Sequence, residues 1–120
     1  MGTTDLAPTL KELIKIKASI TNKCAYCVKM HTEQARKQGE TEQRLYALSV
    51  WQESPLFTYT ERAVLALTEE VTQVSAAGLS DNTYNLCLAL LGEQVLAQCI
   101  MQIVTINIWN RIAVATKMTH

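Results

Sequence analysis

The feature that most constrains the fold is an apolar segment from Val95 to Ala115, in which Arg111 is the only charged residue. A helix without a continuous polar face must be covered on most of its sides. The rest of the 120-residue chain offers only short helices for this purpose, so we expect a homo-oligomer in which subunits cover part of the surface. Amide side chains such as Gln98 and Asn110 make the segment too polar for a simple membrane span, and no membrane partner is expected.

The composition predicts an all-α protein with a single domain, residues 1–120. Gly (4) and Pro (2) are scarce, whereas a sandwich or barrel needs many turn residues. The hydrophobic content of 48% argues against a disordered chain. Lys and Arg (11) balance Asp and Glu (11), and without a basic patch nucleic acid is not an expected partner.

Helical spacing and capping signals predict about six helices. Asn22 is predicted to cap the second helix, Thr58 and Glu61 form a capping box for the fourth, and Gly92 separates the fifth from the sixth. The predicted helices cover residues 8–21, 24–38, 40 to the Ser54-Pro55 pair, 59–74, 81–91 and 93–116, with a short connector at 75–79.

The first residues contain no charged and apolar pattern typical of a signal peptide, so we expect a cytoplasmic protein. In that compartment the four cysteines are expected to be reduced thiols, redox-active groups or metal ligands. Cys87 and Cys99 fall at core-like positions of apolar helices, and we interpret both as packing residues.

The chemistry-bearing motif is Cys24-Ala-Tyr-Cys27-Val-Lys-Met-His31. On a helix, side chains spaced by three and four residues lie along one stripe, so both thiols and the imidazole share a face. Thiols one turn apart approach closely enough for a disulfide, and a helix N-terminus favours thiolate over thiol. The motif therefore predicts a redox-active dithiol with His31 as its base.

The spacing also suggests how the two thiols differ. Cys27 is expected to be the more activated thiol, because His31 follows it by one turn. Cys24, at the start of the helix, is expected to be less covered and to suit exchange with an external dithiol. Glu12 could hold the imidazole if the first two helices form a hairpin, but spacing alone does not favour it over Glu33.

Glu12, eleven residues and then Cys24-x-x-Cys27-x-x-x-His31 resembles the signature of the AhpD-like alkylhydroperoxidases, which belong to the carboxymuconolactone decarboxylase superfamily. The closing run 107–114, Asn-Ile-Trp-Asn-Arg-Ile-Ala-Val, resembles the end of the peroxidase-related branch of that superfamily.

The resemblance implies an AhpD-like helical domain that assembles into trimers or hexamers and needs no bound cofactor or metal. It implies that Cys27 attacks a hydroperoxide substrate and becomes a sulfenic acid, and that Cys24 resolves it as a disulfide. A partner dithiol then reduces the disulfide, while Glu12 and His31 relay protons. The best-studied members of the family carry a second histidine immediately before the second cysteine, where this chain has Tyr26.

Two other functions are compatible with the same residues. The chain could be a general dithiol–disulfide oxidoreductase that acts on another protein's disulfide. Alternatively, Cys24, Cys27 and His31, with Glu12 or water as a fourth ligand, could hold zinc in a non-enzymatic metal-binding or assembly module.

One polar group in the sixth helix has no place in this chemistry. Asn107, Asn110 and Arg111 lie on one face. We expect the two amides to satisfy neighbouring backbone groups and Arg111 to pair with a buried carboxylate, while a place at a subunit contact stays open.

Overall fold

In the computed structural model, which describes residues 6–119, the chain is all-helical and has no β-strand in that range. A 3₁₀ helix, Leu48–Glu53, follows the third α-helix. The α-helices are α1 Pro8–Thr21, α2 Ala25–Lys37, α3 Glu42–Ala47, α4 Tyr59–Thr72, α5 Val74–Ala77 and α6 Asp81–Ala115. The all-α prediction is confirmed, while the prediction about a signal peptide concerns the first residues, of which 1–5 lie outside the described range.

Helix α1 lies at the centre of the molecule and packs against α2, α4 and α6. One side of α1 contributes Ile14 to a core shared with α4 and α6, where Leu67 and Ile103 are fully buried. The other side contributes Leu13 and Ile16 to a second core beneath α3 and the 3₁₀ helix. Burial of such side chains supplies about 1.5–3 kcal/mol each, so the face of α1 that carries Glu12 is held rigidly.

The turn between α1 and α2 corrects one prediction. Cys24, not Asn22, is the N-cap of α2, and its Sγ accepts a hydrogen bond from the Cys27 amide at 3.3 Å. Asn22 instead donates to the side chains of Asn107 and Asn110, at 2.9 Å each. Lys23 takes a left-handed conformation with φ 59°, which reverses the chain and brings Cys24 to the helix start.

The predicted third helix is also different from the observed structure. It changes to 3₁₀ geometry after Ala47, and Val50 leaves helical φ/ψ values. The cause is Arg62 of α4, whose guanidinium donates to the carbonyl groups of Trp51, Gln52 and Ser54. These bonds draw the chain away from the helical path while Trp51 remains buried.

Three expectations for the chain from Thr58 onward are also resolved. The predicted capping box at Thr58 and Glu61 is present. The connector contains the short α5, which the sequence did not indicate. Gly92 interrupts α6 with φ 81°, a conformation that disfavours any residue with a Cβ, so the predicted break is confirmed.

Helix α6 is long and apolar enough to cross a membrane by length and composition alone. Its most apolar 18-residue window has a mean hydropathy of 1.6, and 22% of that window is buried. Large apolar side chains are therefore exposed along it, including Met101, Ile108 and Trp109. Within the same helix, however, Asn110 is fully buried, and its side chain donates a hydrogen bond to Ser19 near the end of α1.

Candidate active site

The two motif cysteines lie side by side at the start of α2. Their Cα atoms are 5.3 Å apart and their sulfur atoms are at disulfide distance. Each residue is only 2% exposed, and Ala113 of α6 packs against both. The expectation that Cys24 is less covered is therefore wrong, because α6 closes over the start of the helix as well as its first turn.

Glu12 and His31 meet across the α1–α2 hairpin. Oε1 of Glu12 lies 3.3 Å from Nδ1 of His31, and Oε2 lies 3.4 Å from Nζ of Lys15. Glu33 is on the outer side of α2, where it pairs with Lys29 at 3.1 Å. Of the two glutamates that the spacing left open, the structure places Glu12, and not Glu33, against the His31 imidazole.

The Glu12 carboxylate is buried, but its environment favours the charged form. Burial raises its pKa, and the contact with His31 together with the charge of Lys15 outweighs that effect, so the pKa is lowered from its ordinary value. Among the described residues Oε1 has no hydrogen bond of good geometry. A buried carboxylate oxygen with an incomplete contact calls for an explanation, and a role in a functional site is one such explanation.

We expect the pH dependence of stability to report this charge. Because the pKa of Glu12 is lower in the folded state, its contribution to stability is present above the ordinary glutamate value of about 4.3. That contribution is lost as the pH falls through the folded-state pKa. The free energy of unfolding, measured by urea titration, should therefore fall in the wild-type protein relative to Glu12→Gln as the pH is lowered through the folded-state pKa of Glu12.

The solvent-exposed Glu33→Gln variant is the control for this measurement. Its free energy of unfolding should follow the wild-type value across the same pH range much more closely. A difference between wild type and Glu12→Gln that stays constant with pH would contradict the lowered pKa.

A cleft of about 440 Å³ opens beside Cys27. It lies between α1, α2 and one face of α6, and its walls are mostly apolar. Cys27 and His31 both line it, and Trp109 is 59% exposed at its side. The other lining residues are Lys15, Tyr26, Met30, Gln102, Thr105, Ile106, Ile112, Ala113 and Met118.

Sequence reasoning did not identify the cleft walls or Lys15 as site residues. Trp109 is one of these wall residues. The available signal was the spacing of Gln102, Ile106 and Trp109 along one face of α6, but nothing in the sequence shows which helix this face meets. Lys15 lies one turn after Glu12, a spacing common on any charged helix surface.

The polar group of α6 supports the turn that carries Cys24. Asn110 accepts from Asn22 and donates to Ser19 Oγ at 3.0 Å, so both of its amide atoms are used. Asn107 donates to Thr72 at 3.1 Å. The expectation of backbone partners holds only in part, because Asn107 also donates to the Ile103 carbonyl at 2.8 Å whereas Asn110, within the described part of the chain, bonds only side chains. Arg111 contacts the Asn107 side chain and not a carboxylate, because it lies at the surface.

The other two cysteines are remote from this chemistry. Cys87 and Cys99 are fully buried in the core between α4 and α6. Burial raises the pKa of Cys87 to about 11 and that of Cys99 to about 12. Both are therefore protonated thiols at neutral pH, as expected for packing residues.

The zinc alternative is not supported by the geometry. Within residues 6–119, no three His, Cys, Asp or Glu side chains are grouped so that they could hold a metal ion. Nδ1 of His31 faces Glu12, and the two sulfur atoms face each other.

Comparison with known proteins agrees with this class of helical fold and dithiol site. Residues 2–70, which include all four candidate site residues, match the model of the carboxymuconolactone decarboxylase family. The chain therefore belongs to the carboxymuconolactone decarboxylase family, as an AhpD-like member.

Two relatives extend the similarity over nearly the whole chain. The uncharacterised protein YdfG of Bacillus subtilis (strain 168) is 41% identical over 107 residues, which cover 89% of this chain and 73% of YdfG. A crystal structure of the Agrobacterium tumefaciens protein ATU0492 superposes with a TM-score of 0.94 at 38% identity, covering 96% of this chain and 79% of that protein. ATU0492 is a protein of unknown function described as a candidate AhpD antioxidant defence protein.

Proposed function

We propose that the chain is a thiol-dependent peroxidase that reduces organic hydroperoxides to alcohols and water. The observation that carries the proposal is a cysteine pair at disulfide distance whose second member opens into an apolar cleft. The candidate antioxidant role described for ATU0492 points to the same chemistry. An apolar cleft suits an alkyl group better than it suits hydrogen peroxide.

In the proposed oxidation the thiolate of Cys27 attacks the terminal oxygen of the hydroperoxide. The O–O bond breaks, Cys27 becomes a sulfenic acid, and the alkoxide takes a proton from His31 to leave as the alcohol. Cys24 then attacks the Cys27 sulfur, the S–O bond breaks, and the oxygen leaves as water. A dithiol partner supplies the two electrons and two protons that restore both thiols.

Glu12 is the positioning residue of this relay. An ionised carboxylate at Nδ1 of His31 keeps a proton on that nitrogen and stabilises the imidazolium when it forms. Nε2 is then the nitrogen that exchanges protons with groups in the cleft. Tyr26 also lines the cleft, and its phenol can donate a hydrogen bond there.

Reaction of the reduced protein with cumene hydroperoxide tests the proposal. We expect rapid loss of two hydrogens, measured by intact mass, and a disulfide that peptide mapping assigns to Cys24 and Cys27. If the disulfide forms only with oxidised dithiols and not with the peroxide, the chain is a dithiol–disulfide oxidoreductase instead. No disulfide under either condition would exclude both enzymes.

His31→Gln is expected to slow the peroxide reaction about a hundredfold, because the proton acceptor and donor are lost. The same variant should move the pH profile of Cys27 alkylation by iodoacetamide to higher pH. Gln34→Ala, on the exposed side of α2, is the matched control and should react as wild type. An unchanged alkylation profile in His31→Gln would contradict the relay.

We also propose that the active form is a homo-oligomer, a trimer or hexamer in the cytoplasm. Exposed apolar side chains on α6, such as Met101, Ile108 and Trp109, are more than a small monomer needs. Light scattering should give a multiple of the 13.4 kDa chain mass. Ile108→Glu should lower that mass while Val50→Glu, equally exposed on the 3₁₀ helix, should not, and a monomeric wild type would refute this part of the proposal.

A further inference from the structure

Cys24 lines a second pocket, which adjoins the cleft at Cys27 and shares Tyr26, Ala113 and Met118 with it. We call it the basic groove; its volume is about 200 Å³, and it lies between the start of α2 and the end of α6. Two lysines stand at its rim, and both are exposed. The groove is lined by Lys23, Cys24, Ala25, Tyr26, Ala113, Val114, Lys117 and Met118.

The backbone fixes both lysines at this rim. Lys23 ends α1 with φ 59°, and Lys117 follows α6 with φ 61°. In each case the next residue's amide donates back into the helix, from Cys24 to the Ser19 carbonyl and from Met118 to the Ala113 carbonyl, at 2.9 Å. Glycine is the usual residue at such a left-handed helix end, whereas lysine occupies both positions here.

The two ammonium groups are not neutralised within the described residues. Neither Lys23 nor Lys117 has an ion-pair partner there, whereas Lys15, Lys17 and Lys29 each pair with a glutamate. The Cys24 side of the pair therefore carries uncompensated positive charge, while the Cys27 side has mostly apolar walls. The two sulfur atoms thus face environments suited to different molecules.

We propose that the basic groove docks the dithiol reductant and that this reductant is a protein whose dithiol is surrounded by carboxylates. This inference rests on the proposed function, in which an external dithiol must reach Cys24. A pocket of about 200 Å³ admits a cysteine side chain rather than a whole domain. The rim lysines would therefore meet the surface around that cysteine, where carboxylates strengthen association and accelerate encounter.

The docked exchange proceeds in two steps. A partner thiolate attacks Sγ of Cys24, the Cys24–Cys27 bond breaks, and Cys27 leaves as a thiolate. The second partner thiolate then attacks the partner sulfur of the mixed disulfide and releases Cys24. Two electrons and two protons pass to the chain, and the partner becomes a disulfide.

The test uses two synthetic Cys-Gly-Pro-Cys peptides, one flanked by glutamates and one flanked by lysines. The protein is first oxidised with diamide, so that the measurement does not depend on any reaction with peroxide. Reduction is then followed by quenched alkylation and mass spectrometry, for the wild type and for K23Q/K117Q. The matched control, K11Q/K37Q, removes the same charge from lysines outside the groove.

We expect K23Q/K117Q to slow reduction by the acidic peptide about tenfold and to leave the rate with the basic peptide unchanged or higher. K11Q/K37Q should retain the wild-type rate with both peptides. An equal effect on the two peptides, or an equal loss in the control variant, would overturn the inference. Failure of the peroxide reaction would refute the proposed function but would leave this measurement intact.

Discussion

Cys27→Ser is expected to reduce peroxide turnover about a thousandfold or more, because it removes the nucleophile on which each later step depends. Cys24→Ser should also stop turnover, but for a different reason. Cys27 would still react once with peroxide, and its sulfenic acid would persist without a resolving thiol. Trapping with dimedone and peptide mass mapping would show one adduct, at Cys27.

Cys99→Ala is the matched control for both variants. This thiol is fully buried in another core, and its pKa is raised to about 12, so turnover per folded molecule should not change. Its core position means that it costs some stability, and activity should be compared at equal folded fraction. A dimedone adduct at Cys24 in Cys27→Ser, with turnover retained, would reverse the assigned roles of the two thiols.

Asn110→Ala is expected to lower the free energy of unfolding by about 2–4 kcal/mol, a large share of the stability of a small domain. The side chain is fully buried, and its loss would leave Asn22 and the Ser19 hydroxyl short of partners. Urea unfolding would measure the effect. Because Asn22 lies in the turn that carries Cys24, reduction of the disulfide should slow as well.

Asn85→Ala provides the same chemical change on an exposed face of α6. There the substitution should be neutral or slightly stabilising, since alanine is the better helix former. If Asn110→Ala were as harmless as Asn85→Ala, the buried amide would not anchor the turn. If Asn110→Ala lost stability but kept normal reduction kinetics, the amide would support the fold without positioning the turn that carries Cys24.

The helices could be predicted where the signal is local. Pro8 at the start of α1, the capping box at Thr58 and Glu61, and Gly92 within α6 each act through their own backbone. The predictions that were wrong depend on residues distant in the chain. Arg62 bonds the carbonyl groups of the 3₁₀ segment that follows the third helix, and the amides of α6 engage Asn22, while Cys24 is the cap of α2.

The candidate site was only partly accessible from the sequence for the same reason. Cys24, Cys27 and His31 belong to one segment, so helical spacing alone brought them together. Glu12 is joined to them by the hairpin of α1 and α2, and only the family resemblance favoured it. The cleft and the basic groove form where α6 crosses α2, and no local pattern specifies that crossing.

The sulfur atom of Cys24 that reacts in the proposed mechanism also accepts a hydrogen bond from the Cys27 amide as the cap of α2. A thiolate accepts such a hydrogen bond more strongly than a disulfide sulfur does, and it also interacts with the helix dipole. When Cys24 is reduced and ionised, this bond therefore stabilises the first turn of α2 more than it does in the disulfide. By thermodynamic linkage, the cap then favours reduction of the pair to the same extent as reduction strengthens the cap.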